Sequence, residues 1–300
     1  MSEQSSLEDL LIDEEELNEQ LLANTVGEYV SIGKESGDLV SKEKCANSRK
    51  TSIKNFPFSE NLENYYESEN YISHTDSKKT VLDKVYQKVK NVALQQKLKL
   101  INSFDTPEKN VLDVGAGTGD FLKHCSNNNW DVLGVEPSLK ARDIAHKKGI
   151  YLKDNLYKIE KTSFDVITLW HVLEHVKDLK TYIKKLKALL KEDGYLVIAV
   201  PNYKSYDAKL YKEHWAAFDV PRHLWHFSQK AIQKLFTEVQ MEVVQTKPMK
   251  FDAYYVSLLS EKYKSQKMNP IKALYNGFRS NLKAKQNSEY SSLIYVIKNR

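Results

Sequence analysis

Residues 111–121 read Val-Leu-Asp-Val-Gly-Ala-Gly-Thr-Gly-Asp-Phe. A short apolar run ends in a glycine-rich turn, which opens into a helix carrying Phe121, Leu122 and His124. Glycine has no Cβ, so such a strand–loop–helix edge lets backbone N–H groups approach a ligand closely. Gly115, Gly117 and Gly119 follow G-x-G-x-G. The nicotinamide dinucleotide fingerprint, G-x-G-x-x-G, wants glycine at 120, where Asp120 stands. Asp113 lies inside the strand just before the turn, where it can accept a hydrogen bond from a cationic ligand.

The segment resembles motif I of the class I S-adenosylmethionine (SAM) dependent methyltransferases. The resemblance implies an α/β fold: a Rossmann-like, seven-stranded, mostly parallel sheet with helices on both faces and an antiparallel C-terminal strand pair. It implies SAM as cofactor, bound along Asp113, Gly115, Ala116, Gly117, Thr118, Gly119 and Phe121. Downstream, Trp130-Asp131-Val132-Leu133-Gly134-Val135-Glu136-Pro137 supplies an acid at a second strand end. The Glu136 carboxylate can accept both ribose hydroxyls, as does the acid about 20 residues beyond a dinucleotide loop. Pro137 then precedes Ser138, which reads as the N-cap of a helix over Leu139–Lys148. A short third strand, Ile150–Leu152, brings Asn155 and Leu156 to the turn where the adenine lies in this fold.

A fourth strand, Phe164–Trp170, runs into His171-Val172-Leu173-Glu174-His175-Val176. This combination is similar to the small-molecule methyltransferases of ubiquinone and menaquinone biosynthesis, which implies that the methionine end of the cofactor lies against Leu169, Trp170 and His171. The same stretch spells His-x-x-Glu-His, an inverted zincin pattern. Its start at a strand end, in a glycine-loop α/β context, argues against zinc proteolysis. Some quinone-type O-methyltransferases hold a divalent ion with the Glu-His of this motif, here Glu174 and His175. The preferred expectation is no metal, with Glu174 capping and His175 packing. Leu179, Tyr182, Ile183, Leu186, Leu189 and Leu190 recur at helical spacing after Asp178, with Glu192-Asp193-Gly194 as the expected stop. The fifth strand reads Tyr195–Val200, closed by Pro201. Strands alternating with helices from 109 to 200 argue for a parallel sheet covered on both faces.

Beyond Pro201, residues 203–227 crowd His214, Trp215, Asp219, Arg222, His223, Trp225, His226 and Phe227 into one loop. Loops at the carboxyl ends of parallel strands carry ligands, so this one reads as the wall of an acceptor pocket. A hydroxyl acceptor must lose a proton, and histidine titrates near neutral pH. His223 ranks first as general base, ahead of His226, His214 and His171, and Arg222 can pair with an anionic acceptor group. A helix over Gln229–Val239 and strands Glu242–Thr246 and Leu293–Lys298 complete the domain. The helical insert between the last two strands, about 252–286, is basic and carries exposed-looking tyrosines at 254, 255, 263 and 275. It is expected to cover the pocket or make an oligomer contact, with docking on a membrane surface as the less favoured alternative.

The organisation expected from this is an N-terminal extension over 1–57, a lid segment and helix over 58–104, and a SAM-dependent methyltransferase domain over 105–300. Leu7–Leu22 is acidic with leucines at 7, 10, 11, 17, 21 and 22, and the stretch from Asp38 to Tyr66 resembles the tail of a zinc ribbon. Only Cys45 remains of the cysteines a ribbon needs, so no zinc is expected there. Much of 1–55 is expected to lack order of its own. In the family, the segment matching Tyr71-Ile72-Ser73-His74 forms a lid over the methionine end, which makes Tyr71 and His74 cofactor-binding candidates. The formal charge of +5 is spread over alternating lysines and acids, a solvated surface rather than a nucleic-acid stripe. Two distant cysteines and the lack of an apolar span or secretory leader point to the cytoplasm. The acceptor is then a small molecule methylated on oxygen or carbon by a monomer or homodimer. The alternative function is a SAM-binding regulatory or assembly protein without methyl transfer.

Overall fold

The computed structural model describes residues 81–160, 163–220 and 222–300. The expectations for the N-terminal extension and for the lid residues Tyr71 and His74 lie outside these described residues.

A long helix α1 (Val81–Ile101) leads into β1 (Asn110–Val114), α2 (Asp120–Ser126), β2 (Asp131–Val135), α3 (Leu139–Lys147) and the short β3 (Leu152–Lys153). The chain then crosses to β4 (Phe164–Trp170), α4 (Leu179–Leu189) and β5 (Leu190–Pro201). After α5 (Tyr206–Tyr211) and α6 (Gln229–Thr237) come β6 (Met241–Pro248), the helices α7 (Asp252–Ser265) and α8 (Pro270–Asn287), and β7 (Ser292–Asn299). The seven strands lie in the order β3-β2-β1-β4-β5-β7-β6. The first five run parallel, and β7 pairs antiparallel with both β5 and β6. The expected sheet is therefore the observed one. The strand order reverses between β1 and β4, and such a switch point opens a ligand crevice at the carboxyl ends of the strands.

Period-two alternation along each strand feeds a core on either face. Leu112, Ile167, Leu169, Ile198 and Tyr295 point to the side covered by Ile183, Leu186 and Leu189 of α4 and Phe236 of α6. Val111, Val166, Val197 and Val296 point to the other, against Ile101 of α1, Leu122 of α2 and Ala145 of α3. Burial of a side chain such as Leu186 stabilises the fold by about 1.5–3 kcal/mol. A third, smaller cluster of Tyr211, Trp215, Phe218 and Val256 packs the connection after α5 against α7. Beneath it, the buried Asp207 carboxylate accepts hydrogen bonds from Trp215 Nε1, Ser280 Oγ and Ser291 Oγ, fixing the insert to the sheet end.

Several expected boundaries shift. Asp178 caps α4 through Thr181 N, but the helix stops at Leu189 and residues 190–194 already belong to β5. Gly194 is thus a strand glycine, where a Cβ would lie 3.0 Å from the Phe164 carbonyl oxygen. The third strand sits at 152–153, because its register with Gly134 and Val135 starts only at Leu152. Helix α6 ends at Thr237 instead of Val239. Among the described residues, no helix is long and apolar enough to cross a membrane.

Candidate active site

The glycine loop leaves β1 at the switch point. Gly115, Gly117 and Gly119 all adopt positive φ, at 73°, 53° and 74°. A Cβ on Gly115 would stand 2.4 Å from Val172 Cγ2, so the loop and the residues after β4 touch only because residue 115 has no side chain. A Cβ on Gly117 would meet nothing within 4 Å, which leaves that side of the loop open to a ligand. The N–H groups of Gly115 and Ala116 both donate to the Val135 carbonyl, at 2.8 and 2.9 Å. Glu136 closes the arrangement: one carboxylate oxygen accepts Gly117 N and the other Ser138 N, each at 2.9 Å. A carboxylate has about four acceptor sites, so Glu136 keeps further lone pairs while holding the loop. Asp120 occupies the position of the third dinucleotide glycine. It binds Lys90 of α1 and Lys148 after α3 at 2.7 and 2.8 Å and accepts from Thr118 Oγ1.

Asp113 is buried at the end of β1, where its carboxylate accepts from Thr168 Oγ1 at 2.6 Å. Burial raises its pKa to about 7, against the lowering effects of that bond and of Lys97. Lys97, on α1, sets its ammonium 4.3 Å over the Trp170 ring, and burial lowers its pKa despite the attraction of Asp113 and Asp252. Phe121 is buried edge-on to Trp170, at 5.6 Å between ring centres. Leu169 is wholly buried in the sheet, whereas Trp170 and His171 reach the crevice mouth, half-buried. Leu156 is buried and Asn155 exposed, with its side chain capping the turn at Tyr157 N. Pro137 is exposed, and its carbonyl accepts from Arg142.

His171 holds the left-handed φ of 59°, a costly conformation for a residue with a Cβ. The twist places its imidazole between two carboxylates, with Nδ1 at 3.3 Å from Glu174 and Nε2 at 3.1 Å from Asp252 of α7. Burial opposes its charged form, but the bonds to Asp252 and Glu174 outweigh it and raise the pKa to about 10. His171 is therefore a cation at neutral pH and cannot act as the general base considered for it from sequence. Glu174 is buried; burial opposes its charge, yet the bond to His171 holds it below the usual carboxylate range. Its backbone carbonyl accepts the N–H groups of Leu224 and Trp225 at 2.7 and 3.2 Å. The residue expected to cap a helix instead anchors the histidine-rich loop.

That loop folds back onto the turn Leu173–His175. His175 Nδ1 donates to the Arg222 carbonyl and His223 Nδ1 to the Ala217 carbonyl, both at 2.8 Å, and Trp225 Nε1 donates to the Val176 carbonyl at 2.6 Å. The His175 and His223 rings meet edge-on at 4.7 Å, and His226 lies 6.4 Å from His223 and 5.0 Å from Phe218. Burial lowers the pKa of His223 below the ordinary imidazole value and that of His226 to about 3, so both are neutral near pH 7. Arg222 is bonded to Asp219 of its own loop at 2.5 Å, which spends part of the charge expected to meet an anionic acceptor. His214 lies apart, paired loosely with Glu213 at 3.6 Å.

Glu174, His175 and His223 each bring one ligand atom to within 4.8 Å of the others, a grouping able to hold a metal ion. Glu174 Oε2 is buried without a hydrogen-bond partner among the described residues. Each histidine donates Nδ1–H to a carbonyl, which orients the ring, and His223 Nε2 also lies 3.7 Å from Asp219 Oδ2. The donor set, one carboxylate oxygen and two imidazole nitrogens, suits a divalent transition metal. The sequence pointed to Glu174 and His175 but not to His223 as their third partner. It also missed Lys97, Thr168 and Asp252, whose chain positions are remote from every motif.

A family model described as "Methyltransferase domain" matches residues 86–246. A ubiquinone biosynthesis O-methyltransferase of Pelagibacter ubique is 36% identical over 119 residues, 35% of this chain and 49% of that protein. One from Haemophilus ducreyi is 28% identical over 173 residues, covering 52% of this chain and 72% of that protein. The chain thus spans about half the length of the first of these relatives. Among solved structures, magnesium protoporphyrin IX methyltransferase from Synechocystis, crystallised with SAH bound, superposes with a TM-score of 0.53 at 14% identity. That match covers 79% of this chain and 97% of the other, and it is a likeness of fold.

Proposed function

Because this chain belongs to the methyltransferase-domain family, we propose that it transfers the methyl group of SAM to an oxygen or carbon nucleophile of a small molecule. The observation that carries this reading is the loop at the switch point. Asp113, the open side of Gly117 and the Glu136 carboxylate all lie around this loop at the carboxyl ends of β1 and β2, the three points that an amino-acid-linked nucleoside would need. SAM supplies a sulfonium methyl whose positive charge makes the departing thioether a good leaving group. Asp113 takes the ammonium of its methionine end, with Trp170 and Lys97 beside it, and Glu136 takes the ribose. Asn155 and Leu156 stand by the adenine, and Tyr71 and His74 remain candidates for the lid. The protein's main task is alignment, since well-oriented reactants reach effective molarities of about 10⁵–10⁸ M.

On the acceptor side, His223 is neutral, buried and oriented through Nδ1, so its Nε2, 3.7 Å from the Asp219 carboxylate, is the nitrogen that would take a proton from an acceptor hydroxyl. His226 supports the ring wall, and Arg222 with Asp219 forms the rim. A small acceptor rather than nucleic acid agrees with the mixed surface charge, and the setting is the cytoplasm, with the chain acting as monomer or homodimer. Residues 105–300 act as the catalytic domain. Isothermal titration with S-adenosylhomocysteine and NAD, followed by labelled-methyl transfer from SAM into a metabolite extract, tests the proposal. Binding of the first ligand alone and label in a small molecule agree with it. Binding without transfer would support the regulatory alternative, and NAD binding would overturn the cofactor assignment.

A second reading keeps the reaction and gives Glu174, His175 and His223 to a divalent cation. The unpartnered Oε2 of Glu174 favours it. The cation would act as a Lewis acid on an acceptor hydroxyl, and His223 would then be a ligand instead of a base. Dialysis against a chelator separates the readings, because only the second loses turnover that added metal restores.

A further inference from the structure

Helix α8 wears its apolar residues on the outside. Ile271, Leu274, Tyr275, Phe278 and Leu282 recur at helical spacing and are 84, 63, 58, 56 and 49% exposed. The opposite face, which packs on α7, is built from Ala273, Asn276, Gly277, Ser280 and Ala284. The packing is close: a Cβ on Gly277 would lie 2.9 Å from Tyr254 Cα and 3.0 Å from the Ala253 carbonyl oxygen. The helix therefore cannot roll to bury its large side chains without opening that small-residue seam. An amphipathic helix normally turns such a stripe inward. A contiguous exposed apolar patch marks an interaction surface.

The charge around the stripe selects the partner. From Lys262 to Ser288 the chain has seven basic residues, at 262, 264, 267, 272, 279, 283 and 285, and no acid. Lys272, Arg279 and Lys283 fall along one flank of the stripe on α8, and Lys272 also pairs with the buried Glu261 at 3.2 Å. Lys262, Lys264, Lys267, Lys272, Lys283 and Lys285 are all exposed. We infer that α8 is an interfacial helix that lays its Ile271–Leu282 stripe on an anionic lipid surface. Apolar side chains enter the acyl boundary while flanking lysines meet headgroup phosphates, the arrangement of helices that lie in a membrane plane. A second copy fits less well, because a two-fold contact through α8 would bring one basic flank against another. Nucleic acid has no use for an apolar stripe between the cations.

The test is co-sedimentation of the full chain with phosphatidylcholine vesicles, with and without phosphatidylglycerol as about one quarter of the lipid. Binding to the anionic vesicles alone is expected, weakened by about 0.5 M salt through screening of the lysines. The double variant Leu274→Ser/Phe278→Ser, altered only at exposed positions, keeps the wild-type Tm and loses about tenfold or more in binding. Equal binding to both vesicles, or none, overturns the inference. A mass that doubles with concentration in the ultracentrifuge, and does not in the double variant, assigns the stripe to a second copy. Slow hydrogen exchange along 271–282 that speeds up when Glu14, Glu15 and Glu16 are changed to Lys, without vesicle binding, assigns it to the acidic N-terminal segment.

Discussion

The imidazole of His171 meets the carboxylate of Asp252 at 3.1 Å, joining the end of β4 to the first turn of α7. Eighty-one positions separate them in the chain, and the bond ties the helical insert to the edge of the cofactor crevice. With Glu174 on its other nitrogen, His171 forms a charged bridge between the residues after β4 and the helical insert.

This bridge makes stability depend on alkaline pH. Its folded-state pKa is raised from 6.5 to about 10, so the folded protein holds a proton that the unfolded chain releases earlier. The contribution is complete below the unfolded value and disappears as pH rises through about 10. Asp252→Asn should destabilise the protein near pH 7 by about 1 kcal/mol, the scale for an ion pair still partly open to water. The gap between variant and wild-type Tm should close above pH 10, as thermal melts across that range will show. A gap that persists at high pH would exclude an ionic origin.

Gly115→Ala should be far more damaging than Gly117→Ala. Both positions have positive φ, but only at 115 does a Cβ collide with a neighbour, Val172 Cγ2 at 2.4 Å. The expected loss of stability is about 2–4 kcal/mol at 115, from backbone strain together with overpacking, and about 1 kcal/mol at 117. Denaturant titrations of both variants give the comparison.

Asp113→Asn keeps the shape of the side chain and removes its charge. The wild-type carboxyl titrates at about 7, so affinity for a cationic ligand should rise as pH passes upward through neutrality. In the variant, SAM affinity should fall by about tenfold, as expected when a charge-assisted bond of 1.4 kcal/mol or more is lost, and the pH dependence should flatten. Affinity for 5′-methylthioadenosine, which has no ammonium, should barely change. Calorimetry with both ligands measures this.

His223→Ala should lower turnover by about 10²-fold or more while leaving SAM binding nearly intact, the pattern of a lost general base. His226→Ala should act mainly on packing, since its ring is buried against Phe218. Single-turnover rates and cofactor titrations distinguish the two, and a loss of SAM binding in His223→Ala would contradict the acceptor-side placement.

Most of residues 111–200 reads clearly because the elements there are largely local. The glycine turn, the strand-end acid at 136, the Ser138 cap and the Leu179–Leu189 stripe are each set by neighbours within a few residues. The misread points are those where distant contacts decide. Gly194 looked like a helix stop, yet its place in β5 follows from pairing of that strand with β4. Glu174 looked like a cap, yet its carbonyl receives Leu224 and Trp225.

The sequence by itself determined the order of strands and helices, the glycine turn and the acids that flank it, because hydrophobic period and backbone freedom act over short spans. Tertiary structure alone decided which histidines are charged and which are neutral. His171, His223 and His226 are the same side chain, and only the carboxylates around the first and the burial of the other two separate them. Protonation depends on the surroundings in space, and those are brought by α7 and by the 219–227 loop from far along the chain.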